Sequence, residues 1–218
     1  MSTLTLVRHG QAAVFHQAEG VLSPLGESQA CKLAEFWLRR EIRFDEVVSG
    51  MLARHIGTEQ AVAACYRAAK VPWPEVRRDP GWNEYDVPGL IAGLPSPAEN
   101  GNRRFQAEFE AALSAWLDGG VSTDNVEPWP AFRDRVVHAL ARVMEGAAGR
   151  RVVVFTSGGP IGLCIQQSLG APDRAFLDVH WRGRNSAVTE FVFTRERFTL
   201  DSFNSLAHLE DSGLWSYR

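Results

Sequence analysis

The chain has 218 residues, of which 45% are hydrophobic and 22% are charged, a balance that supports a folded core and excludes compositional disorder. The formal net charge of −3 argues against a dedicated nucleic-acid binder, because such domains carry a basic excess. The start is too quickly polar for a signal peptide, and no apolar run is long enough to cross a bilayer. We therefore expect a cytoplasmic protein that binds neither nucleic acid nor a membrane.

The first third of the chain alternates strands with helices. Short runs of apolar and β-branched residues predict strands over residues 3–7, 44–48 and 76–78. An apolar stripe at helical spacing predicts an amphipathic helix over residues 25–40, and a second helix is expected over residues 52–69. Each of the first two strands thus leads into a helix, as in a parallel sheet.

The middle of the chain has a different composition. Residues 79–101 are rich in Pro, Gly and Asn and predict a loop, which at this length is usually functional. Helices are expected over residues 105–117 and 130–146. We interpret residues 79–128 as a cap inserted into one domain that spans residues 1–218.

The last third returns to strands. Residues 151–156 form an apolar run that predicts a buried strand, and a helix follows to about residue 169. Residues 188–193 and 198–203 predict a closing hairpin. The alternation predicts an α/β fold with three α/β/α layers around a mainly parallel central sheet, whose ligands bind at the carboxyl ends of the strands.

The first predicted strand runs directly into Arg8, His9 and Gly10. A guanidinium and an imidazole at the carboxyl edge of a sheet suit a bound anion, and Gly10 lets the backbone turn sharply. The alternative is a histidine that only caps a carbonyl group, since a tripeptide by itself is weak evidence.

Two further segments add charged groups. Arg54 follows the second predicted strand and can offer a bidentate fork to a phosphate, although a solvated helix arginine explains it equally well. Glu84 lies in the long loop, where a carboxylate near an anion site suits proton transfer, and Asp86 competes for this role.

A fourth segment joins the buried strand to the next helix through Ser157, Gly158 and Gly159. Free amides at the start of a helix, together with the helix dipole, make an anion site. Ser157 also suits an N-cap, and the two interpretations are compatible.

In order and spacing these segments resemble the histidine phosphatase superfamily, the phosphoglycerate-mutase-like enzymes, over nearly the whole chain. The resemblance implies the phosphoglycerate-mutase-like fold, and the closing segment is similar to that of the phosphatase branch. It rests on residues 6–10, residues 22–30, Ser49, Leu52, Arg54, Thr58, Glu84, Gly158, Gly159 and residues 202–209.

The resemblance also implies a role for each candidate. His9 is then the nucleophile that becomes phosphohistidine, with Glu84 as the general acid and base. Arg8 and Arg54 bind the phosphoryl oxygens. The chemistry is coherent, because imidazole is nucleophilic near neutral pH and two arginines can neutralise phosphoryl charge. We expect a small phosphorylated substrate and neither a metal nor another cofactor.

One position departs from the family pattern, which places a second histidine directly before the Gly-Gly pair. This chain has Ser157 there. Three interpretations follow: Ser157 and the amide of Gly158 donate to phosphate in an active enzyme, or His55 or His180 fills the gap, or the site binds phosphorylated ligands without turnover. We favour the first and expect His180 at the surface beside Trp181.

The sequence therefore predicts phosphomonoester hydrolysis through a phosphohistidine. The alternatives are a phosphoglycerate-type mutase, which transfers the group to substrate instead of water, and a low-activity scaffold that binds phosphorylated ligands. If the neutral hydroxyl of Ser157 limits the rate, Ser157→His should raise activity. The sequence leaves the oligomeric state open, with a dimer among the options.

Overall fold

The computed structural model describes residues 1–13, 20–92, 102–121 and 126–217. Within these ranges six strands form one sheet. The strands are β1 (Ser2–Arg8), β2 (Glu46–Ser49), β3 (Val76–Arg78), β4 (Arg151–Thr156), β5 (Val188–Phe193) and β6 (Phe198–Ser205). Their order across the sheet is β3-β2-β4-β1-β5-β6.

Seven α-helices lie in the same described ranges. They are α1 (Pro24–Arg39), α2 (Ala53–Ala68), α3 (Val87–Ile91), α4 (Asn102–Leu117), α5 (Trp129–Met144), α6 (Gly158–Leu169) and α7 (Ala175–His180). Two 3₁₀ turns occupy Pro80–Trp82 and Ser212–Leu214. No helix in this part of the chain is long and apolar enough to span a membrane.

The sheet is mainly parallel, as the sequence predicts. β1 pairs in parallel with β4, and β2 lies parallel between β4 and β3. β5 runs antiparallel to β1, and β6 runs antiparallel to β5, so β6 returns to the direction of β1. The order β2-β4-β1 brings the carboxyl ends of three parallel strands side by side, where ligands of such sheets bind.

Helices cover both faces of the sheet, because successive side chains of a strand point to opposite faces. One core joins α1 and α2 to Val7 and Val153. The other core joins α5, α6 and α7 to Leu6 and Val154, which are the neighbours of those residues along β1 and β4. This arrangement confirms the predicted three-layer α/β/α architecture.

The segment after β3 differs from the predicted loop. Asp79 caps the first 3₁₀ turn by accepting from the amide of Gly81 at 2.9 Å, and Asp86 caps α3 by accepting from the amide of Gly89 at 3.0 Å. The 3₁₀ turn and α3 are both too short to show an apolar period, so the composition of this segment predicts a loop. Residues 93–101 lie outside the described part of the chain, and the cap stays a prediction.

Candidate active site

The ends of β1, β4 and β2 meet at one edge of the sheet. The amide of His9, the first residue after β1, donates to the carbonyl oxygen of Thr156 at 2.9 Å. The amide of Gly50, the first residue after β2, donates to the carbonyl oxygen of Phe155 at 3.0 Å. Ser157 follows β4 between them. The sheet ladder therefore sets the relative positions of these strand-end residues.

His9 is held in its neutral form. It is buried, and its Nδ1 lies 2.7 Å from the carbonyl oxygen of Gly10. A carbonyl oxygen only accepts, so this contact assigns the proton to Nδ1 and leaves a lone pair on Nε2. Burial lowers the pKa of His9 well below its usual 6.5, and the charges of Arg54 and Arg8 lower it further. The ring therefore carries a single proton, on Nδ1, and is uncharged near neutral pH.

The turn after His9 needs glycine for close packing. A Cβ on Gly10 would lie only 2.4 Å from the carbonyl oxygen of Gly26 at the start of α1. The amide of Gly10 donates to Oγ1 of Thr58 at 3.0 Å, and this hydroxyl donates to the carbonyl oxygen of Arg54 at 2.7 Å. These bonds tie the turn that carries His9 to the first turns of α2.

Two guanidinium groups flank the pocket. Arg8 Nη1 donates to the carbonyl oxygen of Gly183, and Nη2 donates to that of Tyr217 at 3.5 Å. Its buried Nε has no hydrogen-bond partner among the described residues. Burial lowers the pKa of both Arg8 and Arg54, while the charge of Glu84 raises both. Both guanidinium groups therefore lie near the same carboxylate, and both also lower the pKa of His9.

Glu84 approaches the N-terminus of α6. Its Oε1 and Oε2 accept from the amide of Gly159 at 3.0 and 3.2 Å. Burial raises its pKa above the usual 4.5, although Arg54 and the amide of Gly159 oppose the shift. A carboxyl group that keeps its proton to higher pH suits both donation and acceptance of a proton. The predicted competitor, Asp86, instead caps α3.

Arg135 of α5 holds the backbone that carries Glu84, and sequence reasoning missed it. Its Nη1 donates to the carbonyl oxygens of Asn83 at 2.7 Å and Gly81 at 3.1 Å, and its Nη2 donates to that of Glu84 at 3.0 Å. Glu127 anchors the same guanidinium with contacts of 2.6 and 2.9 Å. The sequence carries no signal for this role, because an arginine on an amphipathic helix is solvated by default.

Ser157 is paired with His55. Its backbone is at the N-cap position of α6, but its side chain makes no capping bond. Instead, Oγ of Ser157 lies 2.6 Å from Nε2 of His55, and both residues are fully buried. The rings of His55 and His9 are 5.8 Å apart. Of the two histidines considered for the gap beside Ser157, His55 is the one that bonds to it.

The expectation for His180 is right about its neighbour and wrong about its exposure, because the ring packs edge-on against Trp181 at 5.1 Å while the residue is half-buried and its Nδ1 is closed to solvent. His180 ends α7, a short helix that the sequence did not reveal, and burial lowers its pKa to about 3. Its Nε2 lies 2.9 Å from the hydroxyl of Tyr85, and its ring stacks on Phe176 at 5.4 Å. Gly158 packs against this ring, since a Cβ at its position would lie 3.4 Å from it, an ordinary van der Waals distance.

The four predicted phosphate ligands, Arg8, Arg54, Ser157 and Gly158, converge at this strand edge. Gly158 is the first residue of α6, where an amide has no acceptor within the helix. A Cβ on Gly158 would lie 3.7 Å from Cζ of Arg8, so amide and guanidinium are neighbours. Among the described residues no group of three or more His, Cys, Asp or Glu could hold a metal ion.

The chain is similar to known phosphatases along almost its full length. The family model described as "Histidine phosphatase superfamily (branch 1)" matches residues 4–206. A relative from Arabidopsis thaliana named metal-independent phosphoserine phosphatase is 27% identical over 222 residues, which cover 98% of this chain and 85% of the relative.

Solved structures share the fold. A mutant phosphoserine phosphatase from Entamoeba histolytica, in complex with phosphoserine, matches with a TM-score of 0.69 and 21% identity over 96% of this chain and 100% of that one. A putative alpha-ribazole-5'-P phosphatase from Escherichia coli K-12 matches with a TM-score of 0.68 and 23% identity over 93% of this chain and 96% of that one. Since the family model spans most of the sequence, the chain belongs to the histidine phosphatase superfamily.

Proposed function

We propose that this chain hydrolyses small phosphomonoesters in the cytoplasm through a phosphohistidine on Nε2 of His9. The observation that carries this proposal is the contact between Nδ1 of His9 and the carbonyl oxygen of Gly10 at 2.7 Å, since it leaves Nε2 free to attack. The depressed pKa of the same ring keeps this lone pair available at neutral pH.

The reaction proceeds in two balanced steps. In the first, Nε2 of His9 forms a bond to phosphorus while the ester P–O bond breaks, and the carboxyl group of Glu84 gives its proton to the leaving alkoxide. In the second, Glu84 takes a proton from water, the water oxygen bonds to phosphorus, and the P–N bond breaks to release phosphate. The same carboxyl group thus serves as acid and then as base.

The phosphoryl oxygens meet a set of fixed donors. Arg8 and Arg54 supply two positive charges, and Ser157 and the amide of Gly158 supply neutral donors. Catalysis of phosphoryl transfer rests mainly on positioning and on neutralising charge at the equatorial oxygens. These groups can therefore support transfer without a metal.

The choice of water as acceptor is supported by the relatives that carry phosphatase names. Phosphoserine is the first substrate to test, because the relative from Arabidopsis thaliana is named for it. We assign the selection of the leaving group to the cap, residues 79–128, of which residues 79–92, 102–121 and 126–128 are described. The two alternative functions, a mutase and a scaffold that binds without turnover, each predict a different result in the experiment below.

The test combines phosphate release with trapping of the intermediate. The purified chain is mixed with labelled phosphoserine and with other small phosphomonoesters, and acid-labile, alkali-stable label on protein is measured beside free phosphate. We expect both signals in the wild type and neither in His9→Ala. His138→Ala, which removes an exposed imidazole on α5, should behave as the wild type.

Two outcomes would reject hydrolysis. Isomerisation of a phosphoglycerate with labelled protein but no phosphate release would make the chain a mutase. Saturable binding of phosphorylated ligands without any label on protein would make it a scaffold. Label that persists in His9→Ala would place the nucleophile elsewhere.

A further inference from the structure

Among the described residues, two buried imidazole–hydroxyl pairs in which the hydroxyl belongs to a serine differ in what the hydroxyl proton can reach. In the first, Nε2 of His208 lies 2.8 Å from Oγ of Ser186, which donates to the carbonyl oxygen of Gln29 at 3.3 Å. In the second, Nε2 of His55 lies 2.6 Å from Oγ of Ser157. Oγ of Ser157 has no other hydrogen-bond partner among the described residues, so this hydroxyl is not committed to the protein as that of Ser186 is.

The two tautomers of His55 have different consequences for a ligand. With the proton on Nδ1, Nε2 accepts the hydroxyl proton of Ser157, and the hydroxyl donates to nothing else. With the proton on Nε2, the imidazole donates to Oγ, and the hydroxyl proton of Ser157 is free for another acceptor. Nδ1 of His55 is buried without a partner in the described residues, so no protein group fixes the first tautomer.

The surroundings of Ser157 provide that acceptor when a phosphoryl group is bound. Ser157 follows β4 beside His9, whose ring centre is 5.8 Å from that of His55. On its other side is Gly158, whose Cβ position would lie 3.7 Å from Cζ of Arg8. An oxyanion between His9 and Arg8 therefore lies next to the uncommitted hydroxyl.

We propose that His55 and Ser157 act as one donor to the phosphoryl group, in which Nε2–H of His55 donates to Oγ of Ser157 and the hydroxyl proton goes to a phosphoryl oxygen. The proposal rests on the phosphoryl site of the proposed function. His55 is a positioning residue, because it acts through Ser157. An oxygen that already accepts a hydrogen bond is a better donor, since bonds in a chain polarise one another.

The pair has a steric consequence that reverses the expectation for Ser157→His. Both side chains are fully buried and in contact, so an imidazole at position 157 collides with that of His55. Removal of the ring in His55→Ala vacates this volume. A histidine at 157 then has room to reach the phosphoryl group directly, so the two substitutions should compensate each other.

The experiment measures the dissociation constant of vanadate, a phosphate mimic whose binding needs no turnover, together with kcat/KM. Ser157→Ala and His55→Ala should each weaken vanadate by about tenfold, the scale of one lost hydrogen bond to a charged group. The double alanine variant should be no weaker than the weaker single variant. His55→Gln, which keeps a donor near Oγ, should recover most of the loss.

Ser157→His should bind vanadate more weakly than the wild type, while His55→Ala/Ser157→His should bind more tightly than either single variant. His208→Gln is the matched control, because it alters the other imidazole–hydroxyl pair, and its vanadate affinity should equal that of the wild type. Thermal unfolding checks that each variant is folded. If His55→Ala does not fold, His55→Gln and Ser157→Ala decide the proposal.

Losses that add in the double alanine variant, an unchanged affinity in His55→Ala, or a gain in Ser157→His alone would overturn the donor pair. Absence of vanadate binding by the wild type would overturn it too. Failure of the proposed function looks different: no phosphohistidine forms on His9, while the pattern of vanadate affinities persists. In that case the donor pair stands as part of a binding site.

Discussion

The strand ends and the loop after β3 contribute to one pocket by different means. His9 and Ser157 follow strands that pair residue by residue, so the sheet sets their separation. Glu84 does not directly follow a strand, and side-chain hydrogen bonds hold its loop. Thr156 donates to the carbonyl oxygen of Trp82 at 2.6 Å, and Arg135 donates to the carbonyl oxygens of the residues that follow. Placement at the strand ends is therefore local, whereas placement of the loop depends on partners far along the chain.

The strongest test of this division is Glu84→Gln. If the loop supplies only proton transfer and the strand ends supply binding, turnover should fall by about 10²–10⁴-fold, the usual size of a general acid–base contribution. Vanadate affinity should change little, since the phosphate ligands stay in place. An equal loss of turnover and affinity would assign Glu84 to the structure of the pocket instead.

Arg135→Met breaks the clamp without touching the pocket. The loop loses four backbone contacts, so Glu84 drifts from its position over the amide of Gly159. We expect kcat to fall by about a hundredfold, the cost of a misplacement near 1 Å, with KM nearly unchanged. Arg133→Met is the matched control, because among the described residues Arg133 pairs with two acidic side chains, Asp134 and Asp173, and with no backbone of the loop. A loss confined to KM would contradict the positioning role.

The same division explains what the sequence could predict. Arg8, His9 and the Gly-Gly pair lie directly after apolar strands, so a local pattern places them at the sheet edge. The pair of His55 and Ser157 joins residues 102 positions apart and has no local signature. The long helices other than α2 carry an apolar face with a helical period, but α3 and α7 are too short to complete one period. The burial of His180 was therefore missed along with its helix.

The buried histidines and the buried carboxyl group of Glu84 should respond to acid in opposite directions. His9 and His55 have pKa values depressed well below 6.5, and that of His208 is lowered to about 4, so the unfolded chain binds their protons first. Their contribution to stability is present above pH 6.5 and is lost as pH falls through the folded pKa values. Glu84 has a raised pKa, so its contribution is present below pH 4.5 and is lost as pH rises.

Urea unfolding between pH 7.5 and 5 measures the net effect of the buried histidines and of Glu84 on stability. The free energy of unfolding should decrease as pH falls, by at most about 1.4 kcal/mol per pH unit for each buried histidine. His208→Gln should flatten this slope, and Glu84→Gln, which removes the opposing carboxyl group, should steepen it. A free energy of unfolding that increases as pH is lowered from 7.5 to 5 would mean that the imidazoles are charged in the folded protein.

Tyr85→Phe is the smallest and most selective change. Burial raises the pKa of Tyr85 well above 10, so the hydroxyl keeps its proton, and its oxygen is hydrogen-bonded to Nε2 of His180 at 2.9 Å. Its loss leaves that nitrogen buried without a partner and should cost about 1 kcal/mol in the free energy of unfolding. Tyr66→Phe, which removes a bond of 3.0 Å to the carbonyl oxygen of Ile42, should cost a similar amount.

Only turnover separates these two tyrosines. The ring of Tyr85 packs between Trp116 and Phe132, which fixes the residue next to Glu84 even without the hydroxyl. We therefore expect kcat of Tyr85→Phe to fall by a few-fold at most, and kcat of Tyr66→Phe to stay at the wild-type value. A loss in Tyr85→Phe as large as that in Glu84→Gln would show that the bond to His180, and not the Arg135 clamp, sets the position of the loop.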